Sequence, residues 1–239
     1  MLQINPSKTS FLLFTSSQIT TASPPCIRIS QHIITPSDYC IYLGVKLDSH
    51  LKFHLHIAHV KTKLAYGIRI LIRARAFFSH STLMSLYYAF IHSHITYAIV
   101  AWGNTYNTHL FSLQTIQNRA LRIITYTFND SSAKHLLRNH GILAVAELVK
   151  YNLCTFFYKL LNDELPVSLI PQISLINDNK TRFARNKNLL LPRVRTNYGK
   201  QTFHFSAIMV WNAIPSIVKS LKKNRFASEV KQFFLTTEN

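Results

Sequence analysis

A chain of 239 residues with 27 Lys+Arg against 9 Asp+Glu carries a formal net charge of +18, and its 48% hydrophobic content excludes a disordered basic tail. That imbalance selects polyanions as partners, nucleic acid foremost, and the length suits one large domain or two small ones. The three cysteines, Cys26, Cys40 and Cys154, make no Cys-x-x-Cys; they read as reduced, buried thiols of an intracellular protein, not a disulfide framework or a zinc site.

Residues 1–48 hold three basic and two acidic residues and pattern as strands. Ser10–Thr15 is a short apolar run, Cys26–Ile34 alternates through Ile27, Ile29 and Ile33, and Tyr39–Leu47 is β-branched and aromatic. Turn chemistry at Thr20–Pro25 and Thr35–Asp38 separates them, which predicts a small antiparallel sheet. From residue 50 the period becomes helical. Leu51, Ile57, Val60, Leu64, Ile68 and Leu71 keep one apolar face, with Lys61, Lys63, Arg69, Arg73 and Arg75 largely outside it. Ser79 or Ser81 caps a second helix carrying Leu83, Leu86, Tyr87, Phe90 and Ile91. Asn107 or Thr108 caps a third, with Leu110, Leu113, Ile116, Ala120 and Ile124 facing inward and Arg119 and Arg122 available outside. Val145–Leu161 forms a fourth, before Pro166 and Pro171 break the pattern. Four helices with short connections predict a bundle.

Residues 49–163 hold twelve basic and three acidic residues, and from Ser49 to Asn129 there is no acid at all. Residues 164–239 hold twelve and four, with a second basic zone from Lys180 to Lys200 that includes Arg182, Arg185, Arg193 and Arg195 around Leu189-Leu190-Leu191-Pro192. Phe203–Trp211, Ile214-Pro215 and Phe226–Phe234 read as a compact closing segment, with Trp211 in the core. The fold class expected is α+β, mainly α: an N-terminal sheet over 1–48, a helical bundle over 49–163 and a basic, partly irregular region over 164–239.

Several chemistries lack their residues. Two-metal phosphoryl transfer needs clustered carboxylates, and the one adjacent pair is Asp163-Glu164 beside Pro166. No glycine-rich phosphate loop or nucleophile elbow is present. His50, His54, His56 and His59 crowd one stretch and His92 and His94 another, but no carboxylate lies between Asp48 and Asp130 to complete a metal site. The most apolar long window, Leu83–Trp102, is interrupted by His92, Ser93 and His94 and reads as a core helix instead of a membrane span. No secretory signal pattern opens the chain.

Four short signatures gain meaning from their order. Ile4-Asn5-Pro6-x-Lys8-Thr9 runs into Phe11-Leu12-Leu13-Phe14, and Tyr42-Leu43-Gly44-Val45-Lys46-Leu47-Asp48 follows. Leu51-x-Phe53-x-x-His56-Ile57 comes next, and Trp211-Asn212-x-Ile214-Pro215 far downstream. Taken together the chain resembles the C-terminal part of a reverse transcriptase from a LINE-type (non-LTR) retrotransposon, of the jockey-like kind. Thr181-Arg182 and Leu191-Pro192-Arg193 resemble elements of that family's C-terminal region, and Phe53 stands where the family usually has Trp. The resemblance implies that 1–48 is an edge of the polymerase palm beginning just after the catalytic Tyr-x-Asp-Asp hairpin, with Lys8 near the nucleotide or primer end. It implies that the helices are the thumb, that Mg2+ belongs to the missing catalytic part, and that this chain alone does not polymerise.

The expected activity is sequence-tolerant binding of an RNA/DNA template–primer duplex, which needs cations for phosphates and few carboxylates. The candidate contacts are Lys8, Lys61, Lys63, Arg69, Arg73, Arg75, Arg119, Arg122, Arg182, Arg185, Arg193 and Arg195. The rest of the polymerase is a further partner; no cofactor, membrane or small-molecule substrate is expected. Two other readings fit the same residues: a basic helical protein that associates with acidic membrane or protein surfaces, and a decayed element-derived reading frame with no selected function.

Overall fold

Strands give way to helices at Asp48, whose buried carboxylate satisfies three backbone donors at once. Its Oδ1 accepts from the N–H groups of His50 (3.2 Å) and Lys52 (3.0 Å), and its Oδ2 from that of Phe53 (2.6 Å). With those donors held, the chain turns through left-handed backbone at Leu51 and Phe53, and helix α1 (His54–Ala74) begins. Leu51 therefore lies ahead of the helix, not on its apolar stripe. The rest of the predicted stripe, Ile57, Val60, Leu64, Ile68 and Leu71, is buried.

A computed structural model describes residues 5–15, 25–29, 31–127, 132–166 and 187–237. They form a mainly helical α+β protein divided into two compact units, Met1–Thr62 and Lys63–Asn239, the boundary falling within α1. In the first unit, β1 (Ile27–Ile29) pairs antiparallel with β2 (His32–Ile34), Ile27 opposite Ile34. Likewise β3 (Tyr39–Tyr42) pairs with β4 (Val45–Asp48), Tyr39 opposite Asp48. The predicted antiparallel pairing is present as two two-stranded ladders, because Cys26–Ile34 and Tyr39–Leu47 each fold back on themselves. The second reversal is a two-residue turn at Leu43-Gly44 with φ of 45° and 78°, a conformation that glycine accepts freely and leucine only at a cost of about 1–3 kcal/mol. Ser10–Thr15 is not a strand. Phe11 makes a lone parallel bridge to Pro36, while the Thr15 N–H donates to Ser49 O at 3.1 Å, so its backbone groups serve two different segments and no ladder forms.

In the second unit, α2 (His80–Tyr87) starts at Ser79, whose Oγ accepts from the Thr82 N–H at 3.4 Å. A five-residue π-helical segment, Tyr88–His92, follows directly. Short α3 (Ser93–Thr96) and α4 (Ile99–Trp102) come next, separated by left-handed Ala98. Helix α5 (Asn107–Thr125) is flanked by Tyr106, which lacks a capping oxygen, so neither Asn107 nor Thr108 caps it. Its inward face also differs from expectation: Ile116 is half-buried, while Gln117 is fully buried and donates from Nε2 to Tyr87 Oη and to Leu143 O, both at 3.0 Å. Amphipathic reading assigns a glutamine to the surface; two partners at hydrogen-bond distance bring this one inside. After the unforeseen α6 (Ala133–Asn139), α7 (Val145–Leu161) has the predicted bounds.

Helix α7 is the centre of this unit and packs against α4, α5 and two C-terminal helices, α9 (Phe203–Ala213) and α11 (Lys223–Thr236). A short α8 (Asn197–Lys200) precedes them and α10 (Ser216–Lys219) joins them. Aromatic side chains form the seam. Phe157 lies 5.6 Å from Trp211, ring centre to ring centre, Tyr158 stacks on Phe226 at 4.1 Å, and Trp211 sits 5.9 Å from Phe226. Burying each such ring contributes about 1.5–3 kcal/mol, so Trp211 is core as expected. The Trp-Asn signature has a structural use. Trp211 Nε1 donates to Lys187 O (3.1 Å), and Asn212 exchanges two hydrogen bonds with the Leu189 backbone (2.8 and 2.9 Å), pinning 187–189 to α9. Cys154 is buried as predicted, but Cys26, just ahead of β1, is exposed and Cys40, in β3, is half-buried, because two-stranded ladders cover little.

Candidate nucleic-acid interface

An amphipathic helix turns its charges outward only where the apolar stripe leaves room, and α1 leaves about half its circumference. Within the second unit, Arg69 and Arg73 stand four residues apart on the outer face with Tyr66, all exposed, and Lys63 is exposed beside the buried arc. The Arg69 guanidinium lies 5.8 Å from the Tyr66 ring centre, and Tyr66 meets Phe90 edge-on at 6.5 Å. A cation and a flat ring held together offer a phosphate contact and a stacking surface at once.

Arg75 departs from this face. It comes round towards the buried side, is half-buried, and lies 4.6 Å from the Tyr126 ring centre, while Tyr126 Oη donates to the Arg75 carbonyl. The C-terminal ends of α1 and α5 are thereby joined, and Arg122 sits one helical turn before Tyr126. Arg122 is half-buried with its Nε sequestered and without a hydrogen-bond partner, whereas Arg119 is fully outward beside exposed Thr115. Phe77 and Phe78, immediately after α1, are 84% and 54% exposed. The structure thus groups Tyr66, Arg69 and Arg73 on one face, and joins Arg75 to Tyr126 at a helix junction.

The other predicted contacts are separate. Lys8 is exposed at the end of a 3-10 turn, Pro6–Lys8, in the first unit, where Lys61 is also exposed. Arg193 and Arg195 are exposed in an extended stretch before α8. Arg182 and Arg185 lie outside the described residues. Tyr66, Tyr126, Phe77 and Phe78 carry no charge to mark them in the sequence, although aromatics interleaved with arginine from Tyr66 to Phe78 are a readable signal.

Three carboxylates among the described residues have other employment. Asp48 holds the entry to α1, Glu147 Oε2 accepts from the Ala144 N–H (2.9 Å) at the start of α7, and Glu164 pairs with Lys223 at 2.5 Å. No three His, Cys, Asp or Glu side chains among the described residues are placed to hold a metal ion. Two of the crowded histidines do structural work: His56 Nδ1 accepts from the Lys46 N–H (3.3 Å), and His50 Nδ1 lies 2.9 Å from Thr15 O. No helix of the described residues is long and apolar enough to cross a membrane.

The chain is 30% identical over 125 residues, 51% of its length, to the probable RNA-directed DNA polymerase from transposon X-element of Drosophila melanogaster. It is 27% identical over 172 residues, 60% of its length, to the probable RNA-directed DNA polymerase from transposon BS of the same organism. These matches span only 13% and 19% of the two relatives. No family model and no solved structure matches.

Proposed function

We propose that this chain, whose curated relatives are transposon RNA-directed DNA polymerases, is a thumb-containing piece of such an enzyme that grips template–primer nucleic acid without polymerising it. The observation that carries the reading is the outer face of α1. Arg69 and Arg73 point to solvent with Tyr66, in a stretch of 81 residues, 49–129, that contains no acid. Cations without internal counter-charges neutralise phosphates readily, and sequence tolerance follows because phosphate contacts carry no base identity. Polymerisation would require clustered carboxylates to hold two Mg2+ ions. Asp48, Glu147 and Glu164 are instead committed singly to local structure, so no chemical step is assigned to them.

The test is binding of a labelled template–primer duplex across a salt series. Affinity is expected to fall with a log–log slope of about −0.9 for each phosphate neutralised, and unrelated sequences should bind equally. No binding at about 50 mM salt, or an affinity indifferent to salt, would overturn the proposal. Acidic liposomes that displace the duplex would favour a membrane-surface role instead.

A further inference from the structure

Leu83, Tyr87, Ile91, Ile95 and Ile99 recur every four residues and all are buried. A regular α-helix passes through 400° in four residues, so it would carry this row about 40° further from the core at each step. The wider π turn at Tyr88–His92, closed by the Ser93 N–H donating to Tyr88 O five residues back, takes up that drift. It also flanks a cavity of about 200 Å³, walled by Tyr88 and His92, by Tyr151 on α7, by Lys231 on α11 and by the Gly141–Leu143 loop.

The wall has a consistent chemistry. Four of its side chains bear hydrogen-bonding groups, one of them a fixed cation, and no carboxylate lines it. His92 Nδ1 is sealed from solvent, so the imidazole can meet a ligand in the cavity only through Nε2. Burial, and after it the neighbouring Lys231 charge, lower the His92 pKa, while burial raises that of Tyr151 and keeps its phenol a neutral donor. A cation beside one imidazole and two phenols, with no competing acid, suits a compact oxyanion with several acceptor oxygens.

We propose that this cavity is a phosphate site, in which Lys231 supplies the charge while Tyr88, Tyr151 and His92 donate to the oxygens of a free phosphate or of a terminal nucleic-acid phosphate. It is independent of the outer face of α1, so either proposal can fail alone.

The test follows the His92 imidazole by NMR in the full chain while inorganic phosphate replaces chloride at constant ionic strength. A saturable displacement is expected, weakened at least tenfold in Lys231→Met, retained in Lys231→Arg and unchanged in Arg69→Gln. No displacement up to about 10 mM, ten times a millimolar dissociation constant, would overturn the proposal. So would equal displacement in a folded Lys231→Met chain. Oligonucleotides with and without a 5′-phosphate then identify the source. Competition by the phosphorylated strand alone assigns a nucleic-acid end, and competition by neither assigns free phosphate. Equal competition by both would show only general charge, against the proposal.

Discussion

Lys219 is 6% exposed, with its Nζ donating to Asn188 Oδ1 at 2.6 Å and lying 5.8 Å from the Trp211 ring centre. Burial lowers its pKa to about 8, against the opposing pull of the Cys154 thiol. Between that value and the ordinary lysine range near 10.5, the folded chain binds fewer protons than the unfolded one, so stability rises with pH. Lys219 should therefore add a slope of up to about 1.4 kcal/mol per pH unit between pH 8 and 10. Urea unfolding of the parent chain and Lys219→Met across that range should differ by that slope. The opposing contributions of the buried Cys154 thiol and Tyr87 phenol, whose pKa values burial raises, cancel in the comparison. Asn212→Ala strips both Leu189 backbone partners and should cost about 1–3 kcal/mol, read as a lower denaturant midpoint. Legibility at this scale follows chemistry. Trp211 was readable as core because a large ring surrounded by apolar neighbours has nowhere else to go. Lys219, Asp48 and Gln117 were not, because what draws each inward is a partner distant along the chain or a set of backbone donors, which residue type does not disclose.

Helix α1 crosses the π segment at its glycine. A Cβ on Gly67 would sit 2.7 Å from Ile91 Cδ1 and 2.8 Å from the Phe90 carbonyl oxygen, and that oxygen belongs to a backbone that cannot step aside. Gly67→Ala gains about 1 kcal/mol of helix propensity but incurs about 1–3 kcal/mol of overpacking, so the variant should be no more stable than the parent and most often less. Chemical denaturation decides it, a clear stabilisation being the contrary result. On the opposite face, replacing Arg69 and Arg73 together by Gln removes two candidate phosphate contacts. The salt slope of duplex binding should shrink by about two, with circular dichroism unchanged. Long helices were legible to within a few residues because 3.6-residue periodicity survives over many turns, and α7 shows it in full. The interruption at 88–102 was not, since residues spaced by four look helical until the accumulated rotation is counted. Antiparallel pairing was legible, but the fold-back inside Tyr39–Leu47 was not, because a two-residue reversal at Leu43-Gly44 leaves the alternation on either side looking continuous.

At the scale of the whole molecule, electrostatics and exposed apolar surface pull in opposite directions. Ile33, Ile41 and Tyr42 are exposed in ladders of only two strands, and Leu43 in the turn between β3 and β4; the unpaired edges invite pairing with another copy. A net charge of +18 keeps copies apart until salt screens it. Raising salt should thus increase self-association by light scattering while it weakens duplex binding, and Ile41→Lys should suppress the former without altering the latter. The excess of cations that motivates a polyanion partner was legible from composition alone. The surface proposed for it was only half legible, because the cations were visible while the rings that share their faces, Tyr66 and Tyr126, resembled ordinary packing residues.

The long stretch without a carboxylate has a thermal consequence. Like charges on Lys63, Arg69, Arg73 and Arg119 repel one another in the folded chain with no acid from residues 49–129 to relieve them, so part of the folding free energy is spent on holding them at fixed separations. A polyanion that engages the folded form relieves this strain and adds its own linkage, about 2.7 kcal/mol at a hundredfold excess over the dissociation constant. The melting temperature then becomes a titration curve: it should climb with added duplex, level off at saturation, and fall back when salt sets the duplex free.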